Sequence, residues 1–185
     1  MKTKSLGFIG GGRITKVILH AIANNKTEYK AIVVYDTNSA VLTALKNQFP
    51  GILLADSASE AAKQDMVFLA LHPPVIMDTL ELVKDDFKQG SILISLAPKI
   101  TTEKMASKLA NVKNIVRLIP NATSIINEGY NPVCFSDQMS EWKKESLLSI
   151  FRRMGHTFEV PENKLESYAI MSAMLPTYFW FQWNE

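Results

Sequence analysis

Apolar positions along the chain follow two alternating patterns. Short runs rich in branched aliphatic residues predict strands, and segments whose apolar residues recur every three or four positions predict helices. The predicted strands are Ser5–Ile9, Ala31–Tyr35, 52–54, 66–71, 91–95, Asn114–Leu118, 133–135 and 157–160. The predicted helices are Arg13–Asn24, Ser39–Gln48, one opened by Ser57 with Glu60 as a capping box, Pro73–Val83, one opened at 101–103, and 140–154. This alternation predicts an α/β fold with a doubly wound, mainly parallel sheet and right-handed crossovers.

A run of three glycines, Gly10, Gly11 and Gly12, directly follows the first predicted strand and opens the first helix. A pyrophosphate can sit at a helix N-terminus only where side chains do not block its approach to the backbone. Gly10 would permit the tight turn and Gly12 the close approach. The third small position of this fingerprint is Thr15, which predicts looser packing of the helix on the strand. An ordinary tight turn remains the alternative interpretation.

An acidic residue, Asp36, stands at the end of the second strand, 24 residues after Gly12. A carboxylate there accepts hydrogen bonds from ribose hydroxyls and repels a 2′-phosphate, which favours NAD over NADP. Residues 37–39 offer further hydrogen bonds to a phosphate, but no arginine is adjacent. Alternatively, Asp36 is the N-cap of the next helix. With strand, helix and acid in register, the sequence predicts a Rossmann-type dinucleotide-binding domain.

Composition narrows the class of protein further. The 20 basic and 18 acidic residues are interspersed, which argues against nucleic acid or an anionic membrane surface as a partner. No segment reaches the ~20 apolar residues of a membrane span, and the N-terminal apolar stretch is too short for a signal peptide. Cys134 is the single cysteine, so no intrachain disulfide can form and a reducing, cytoplasmic location is expected. Its apolar surroundings in the sequence predict that Cys134 lies in the core. No metal site is predicted.

The C-terminal part of the chain is strongly apolar. Its large apolar residues from 165 onward are Leu165, Ile170, Met171, Met174, Leu175, Tyr178, Phe179, Trp180, Phe181 and Trp183. An apolar helix at a chain end needs a partner, which would be its own domain, a second subunit or a continuation of the chain.

Six ordered segments resemble pyrroline-5-carboxylate reductases. Gly-Phe-Ile-Gly-Gly-Gly-Arg-Ile at 7–14 is similar to that family's Gly-Phe-Ile-Gly-x-Gly-Asn-Met, and Val-Arg-Leu-Ile-Pro-Asn-Ala-Thr at 116–123 is similar to its Val-Arg-x-Met-Pro-Asn-Thr-Pro. The segments at 68–73, 95–97, 127–129 and 150–155 resemble further stretches of the family in the same order. The resemblance therefore covers nearly the whole chain.

This resemblance implies a reductase with two domains. Residues 1–160 would bind NAD(P)H, and 161–185 would begin a helical domain that dimerises and builds the substrate site. The chain would then hold only the first helix of that second domain and would form a homodimer or a higher homo-oligomer. The implied reaction, a step of proline biosynthesis, transfers hydride from the nicotinamide to the C=N carbon of a small imine.

The resemblance also implies the residues of the site. The expected cofactor-binding residues are Gly10, Gly11, Gly12, Arg13, Ile14, Asp36, Leu71, His72, Pro73, Ala97 and Asn121. The expected catalytic residues are Asn121, Ser172 and Thr177, with Asn121 as a hydrogen-bond donor beside the nicotinamide or the substrate.

Departures from the family pattern fall at positions where chemistry is expected. His72 replaces a lysine, Arg13 and Ile14 replace an Asn-Met pair, and Ala173 and Leu175 replace two glycines of the substrate loop. These changes leave two alternatives open. One is a non-catalytic nucleotide-binding module, and the other is a different reductase on the same fold, of the deazaflavin-dependent NADP type or the β-hydroxyacid dehydrogenase type. Asp36 argues against an NADP enzyme, and the segment around Asn121 argues against the β-hydroxyacid type.

Overall fold

The computed structural model describes residues 4–174 of the 185-residue chain. Its strands are β1 Ser5–Ile9, β2 Ala31–Tyr35, β3 Leu53–Leu54, β4 Met66–Leu69, β5 Ile92–Ser95, β6 Asn114–Leu118, β7 Gly129–Phe135 and β8 Gly155–Glu159. Its α-helices are α1 Arg13–Asn24, α2 Ser39–Gln48, α3 Ala58–Ala62, α4 Pro73–Val83, α5 Thr102–Ala106, α6 Glu141–Phe151 and α7 Glu162–Ala169. Short 3₁₀ turns cover Ala122–Ile126 and Arg152–Met154, and a π-helical turn, Ile170–Met174, continues α7.

The strands described within residues 4–174 form one sheet in the order β3-β2-β1-β4-β5-β6-β7-β8. All neighbouring strands are parallel except β6 and β7. The chain runs outward from β1 to β3 and then returns to place β4 on the other side of β1. This reversal between β1 and β4 is the topological switch point at which open α/β sheets bind ligands. The predicted doubly wound, mainly parallel fold is confirmed.

Alternate residues of the strands pack into two hydrophobic layers, one on each face of the sheet, because successive side chains in a strand point to opposite faces. On one face, Phe8 and Phe68 stack at 4.7 Å beneath helices α1, α2 and α6. On the other face, Ile9 and Leu69 pack under α3, α4 and α5. A third, smaller cluster joins β7 to α7 through Cys134 and Leu165. The described part of α7 is therefore docked on the same sheet.

Several predicted boundaries differ from the structure. Strand β4 ends at Leu69 rather than at 71, and α6 ends at Phe151 before a 3₁₀ turn. Ser57 is the N-cap of α3, but its side chain makes no capping hydrogen bond, so the predicted capping box is wrong. Strand β7 begins four residues earlier than predicted, since Asn131 interrupts the apolar pattern. The Asn131 side chain is fully buried, and it is satisfied by hydrogen bonds with Ser124 and the Met154 carbonyl.

No helix in the described range 4–174 is both long and apolar enough to cross a membrane.

Candidate functional site

The turn between β1 and α1 lies at the switch point, and glycine at its first position is required by geometry. Gly10 has φ +104°, a conformation that L side chains rarely adopt. A Cβ atom at Gly10 would lie 2.4 Å from the Ala70 carbonyl oxygen, which follows β4. The Gly10 N–H donates to the Tyr35 carbonyl at 2.8 Å, so the turn is held between both neighbouring strands.

The other two glycines differ in what surrounds them. A Cβ atom at Gly11 would lie 3.0 Å from the Leu45 side chain, whereas a Cβ at Gly12 would have no atom of the described residues 4–174 within 4 Å. Gly12 is the N-cap of α1, where backbone N–H groups lack partners within the helix. The helix N-terminus therefore faces open space beside a backbone without side chains. A phosphate group could approach the backbone in this cradle, and the predicted binding of a pyrophosphate at this turn stays a prediction.

Thr15 does not loosen the packing of α1, contrary to the prediction. Its side chain is fully buried, and its hydroxyl donates to the Gly10 carbonyl at 2.6 Å. The hydroxyl thus closes the glycine turn from the helix side, so the larger residue fits because its polar atom is satisfied.

Asp36 lies against the glycine turn, and both of its carboxylate oxygens accept main-chain hydrogen bonds. Oδ2 accepts from the Gly11 N–H at 2.7 Å, and Oδ1 accepts from the Asn38 N–H at 2.8 Å. The alternative interpretation of Asp36 as a helix cap is wrong, because Asn38 is the N-cap of α2 and accepts from the Ala40 N–H at 3.0 Å. Asp36 therefore connects the end of β2 to the glycine turn.

Residues on the other side of the switch point follow β4 and β5. His72 is the exposed N-cap of α4, makes no capping hydrogen bond, and precedes Pro73 in the first turn. After β5, Ala97 is buried and its N–H donates to the Ser95 hydroxyl at 3.4 Å. Lys99, two residues later, has φ +68°. These loops lie at the same carboxyl edge of the sheet as the glycine turn.

Asn121 lies beyond β6 and is brought to Ser172. Its Nδ2 donates to the Ser172 carbonyl at 3.4 Å, and its Oδ1 accepts from the Tyr130 N–H at 3.1 Å and from the Thr123 hydroxyl at 3.0 Å. The Ser172 hydroxyl donates to the Tyr168 carbonyl. The amide oxygen of Asn121 is thus occupied within the protein, and one hydrogen of its amide group is used by the Ser172 carbonyl, so at most one amide hydrogen is left to serve a ligand. Thr177 lies outside the described residues.

A buried ion cluster was missed by the sequence interpretation. Arg117, the next-to-last residue of β6, is 1% exposed. Its Nη1 donates to Glu162 Oε1 at 3.0 Å, and its Nη2 donates to Glu166. Burial alone lowers the pKa of Arg117, but the hydrogen bonds to Glu166 and Glu162 outweigh it and raise the pKa above its usual range. An arginine among Ile115, Val116 and Leu118 was the signal, since a buried charge needs partners of opposite charge.

Cys134, paired with Arg117 across β6 and β7, is 2% exposed. Burial, and then the nearby Glu162 carboxylate, raise the pKa of the thiol to about 12. Because the thiolate is the nucleophile, we expect no reaction of the native protein with Ellman's reagent at pH 8 and full reaction of the single thiol in guanidinium chloride. Rapid labelling of the native protein would contradict the observed packing of β7.

Among residues 4–174, no group of three or more His, Cys, Asp or Glu side chains is placed to hold a metal ion.

The chain is similar to known oxidoreductases in sequence. The family model described as NADP oxidoreductase, coenzyme F420-dependent, matches residues 5–99. The chain is 29% identical to the pyrroline-5-carboxylate reductase of Escherichia coli K12 over 177 residues, which are 95% of this chain and 65% of that protein. It thus spans just under two thirds of the length of that relative. The predicted resemblance to this group of reductases is confirmed.

Solved structures show the same fold. The pyrroline-5-carboxylate reductase of Coxiella burnetii superposes with a TM-score of 0.85 at 26% identity, covering 98% of this chain and 67% of that one. The pyrroline carboxylate reductase of Plasmodium falciparum, solved with NADP bound, superposes with a TM-score of 0.84 at 22% identity, covering 98% and 66%.

Proposed function

The chain belongs to the family described as NADP oxidoreductases dependent on coenzyme F420, and on this premise we propose that residues 4–174 bind a nicotinamide dinucleotide for a reductase. The observation that carries the proposal is the open cradle at Gly12, at the N-terminus of α1 and at the switch point of the sheet. Gly11, Gly12 and the first turn of α1 would hold the pyrophosphate. The loops after β4 and β5 would line the nicotinamide half of the crevice.

We propose that the whole protein reduces a C=N bond of a small imine in the manner of a pyrroline-5-carboxylate reductase. The likeness to these reductases over 95% of this chain supports this reaction. The bound dinucleotide would supply the hydride, and the protein would position the imine and exclude water. Asn121 and Ser172, which lie within hydrogen-bond distance of each other, are the proposed polar contacts on the substrate side. Thr177, expected beside them, and assembly into a homo-oligomer through the C-terminal apolar segment remain predictions.

A second candidate is hydride exchange between NADP and a deazaflavin, because the matched family is named for coenzyme F420. Adding oxidised coenzyme F420 to NADPH and the protein, and following loss of the deazaflavin absorbance, tests this candidate. The same mixture with 1-pyrroline-5-carboxylate in place of the deazaflavin tests the imine reaction. Dinucleotide binding without turnover of either would favour the non-catalytic module.

Titration of the 185-residue chain with NADH and with NADPH, followed by nicotinamide fluorescence, tests the proposal directly. We expect saturable binding of at least one dinucleotide. The ratio of the Kd values for NADH and NADPH tests the preference for NAD that Asp36 alone predicts. A folded sample that binds neither dinucleotide would overturn the proposed function.

We expect Asp36→Ala to raise the Kd of NADH and the Kd of NADPH to a similar extent, about tenfold. The physical reason is that Asp36 holds the Gly11 N–H at 2.7 Å, so its loss frees the glycine turn that both cofactors share. Thr43→Ala, which removes one exposed hydroxyl hydrogen bond on α2 to the Ser39 carbonyl, is the matched control. Weaker NADH binding with tighter NADPH binding would instead assign the carboxylate to the ribose and the 2′-position.

A further inference from the structure

The ion cluster of Arg117, Glu162 and Glu166 joins three elements that meet at the carboxyl edge of the sheet. Arg117 belongs to β6, and both carboxylates belong to α7. Glu162 also accepts hydrogen bonds from the Thr102 N–H at 2.8 Å and from the Thr102 hydroxyl at 2.9 Å, which fixes the start of α5. The cluster thus connects the central sheet, α7 and the loop between β5 and α5.

One carboxylate oxygen of the cluster contacts the loop between β5 and α5 at Lys99, whose backbone conformation is unfavourable. Glu166 Oε1 accepts the Lys99 N–H at 2.8 Å and also accepts from the Arg117 guanidinium. Lys99 has φ +68°, which is unfavourable for a residue with a side chain and persists only where the surroundings hold it. Burial by itself raises the pKa of Glu166, but the Lys99 N–H and Arg117 outweigh it and lower the pKa, so the carboxylate is ionised at neutral pH.

The position of this contact gives it a role beyond packing. The loop at 96–101 follows β5 and lies on the β4–β5 side of the switch point, away from Asp36 and β2. In a doubly wound sheet the adenosine and nicotinamide halves of a dinucleotide lie on opposite sides of that point. The helix that carries Glu166 continues through the π-helical turn to Ser172, whose carbonyl accepts from Asn121. Glu166 therefore links the nicotinamide-side loop to the segment proposed to meet the substrate.

We propose that Glu166 is a positioning residue that holds the Lys99 loop in the conformation that receives the nicotinamide ring. This inference rests on the proposed function. Glu166 acts on the dinucleotide only through the Lys99 N–H, and Arg117 fixes the carboxylate and balances its charge. Loss of Glu166 lowers the fraction of molecules whose loop can receive the nicotinamide. The affinity for ligands that contact the loop then falls, and the affinity for other ligands is unaffected.

The test compares NADH or NADPH, whichever the wild type binds more tightly, with the corresponding ADP-ribose or 2′-phospho-ADP-ribose, which lacks the nicotinamide. We expect Glu166→Ala to raise the Kd of the dinucleotide about tenfold and to leave the Kd of the shortened ligand within about twofold. Glu166→Gln should restore most of the affinity, because both hydrogen bonds use Oε1 and an amide oxygen can accept them. Glu162→Ala is the matched control, since it removes one anion from Arg117 and the anchor of Thr102 but leaves the Lys99 N–H bonded to Glu166.

If Glu166 only stabilised the fold, Glu166→Ala would raise the Kd of the dinucleotide and of the shortened ligand equally, or Glu162→Ala would raise the Kd of the dinucleotide as much as Glu166→Ala does. Either result would overturn the proposal. Hydrogen exchange of the wild-type Lys99 amide gives a readout that does not depend on any variant. Slow exchange supports the contact, and exchange as fast as in a free peptide would overturn it. A wild type that binds no dinucleotide would overturn the proposed function and this role with it, whereas normal wild-type binding with an unaffected Glu166→Ala variant would overturn this role alone.

Discussion

Substitution of Gly10 by alanine is expected to destabilise the protein by about 3 kcal/mol and to abolish dinucleotide binding. A Cβ atom at this position would lie 2.4 Å from the Ala70 carbonyl oxygen, and backbone φ is +104°. The clash is with main chain at the end of β4, so no side-chain rotation can relieve it. The turn would have to move, and the hydrogen bonds that Gly10 makes to Tyr35 and Thr15 would be lost. Urea unfolding followed by circular dichroism measures the loss of stability.

Gly12→Ala is the matched control for that experiment. No atom in the part of the chain that the structure describes lies within 4 Å of a Cβ atom at Gly12, and its φ of −69° suits any residue. We therefore expect its free energy of unfolding to stay within about 0.5 kcal/mol of wild type. Its affinity for the dinucleotide should fall at least tenfold, because the methyl group would occupy the space proposed for the pyrophosphate. Unchanged affinity of Gly12→Ala would contradict the placement of the phosphates at this helix.

Arg117→Met is expected to destabilise the protein by about 3 kcal/mol, the lower end of the range for removing one partner of a buried ion pair. The guanidinium is 1% exposed and is the cation that Glu162 and Glu166 share. Without it, two carboxylates would lie close together at a partly buried site. Their side chains are 30% and 34% exposed, so water can compensate for part of the loss. Thermal and urea unfolding would measure the effect.

The triple substitution Arg117→Met, Glu162→Gln and Glu166→Gln is the control for charge. It removes the cation together with both anions, so no ionised group remains without a partner. We expect it to recover about half or more of the stability lost in Arg117→Met. If Arg117→Met alone were as stable as wild type, the cluster would make no net contribution to folding.

The sequence predicted the central sheet well, because its signal is local. The apolar runs of β1, β2 and β6 and the periodicity of α1, α2 and α4 gave the observed boundaries. Where burial depends on a distant partner, the prediction was wrong. The start of β7 was missed because Asn131 is buried with a hydrogen bond to the Met154 carbonyl, 23 residues away along the chain. The capping box at Ser57 was wrong because a short pattern of residue types does not determine side-chain geometry.

In the candidate site, too, local features could be predicted from the sequence and contacts between distant segments could not. The glycine turn could be found from its place between a strand and a helix, and the positive φ of Gly10 shows why that position is glycine. The contacts of Asp36 could not be found, since they depend on where the end of β2 meets the glycine turn. The pairing of Asn121 with Ser172 was also hidden, because fifty-one positions separate them. Resemblance suggested both residues but not that they touch.

The sequence by itself determined the α/β class, the order of elements and the place of the glycine turn, because strand and helix periods and glycine's lack of a Cβ are local properties. Tertiary structure alone decided the partners of the charged and polar side chains. Arg117 is a lone charge in a strand until α7 folds across it with Glu162 and Glu166. Lys99 is an ordinary loop residue until Glu166 holds its N–H. Such contacts bring together residues far apart in sequence. Taking a charge out of water costs free energy, and the attraction and hydrogen bonds between the partners offset that cost only when the assembled fold brings them together.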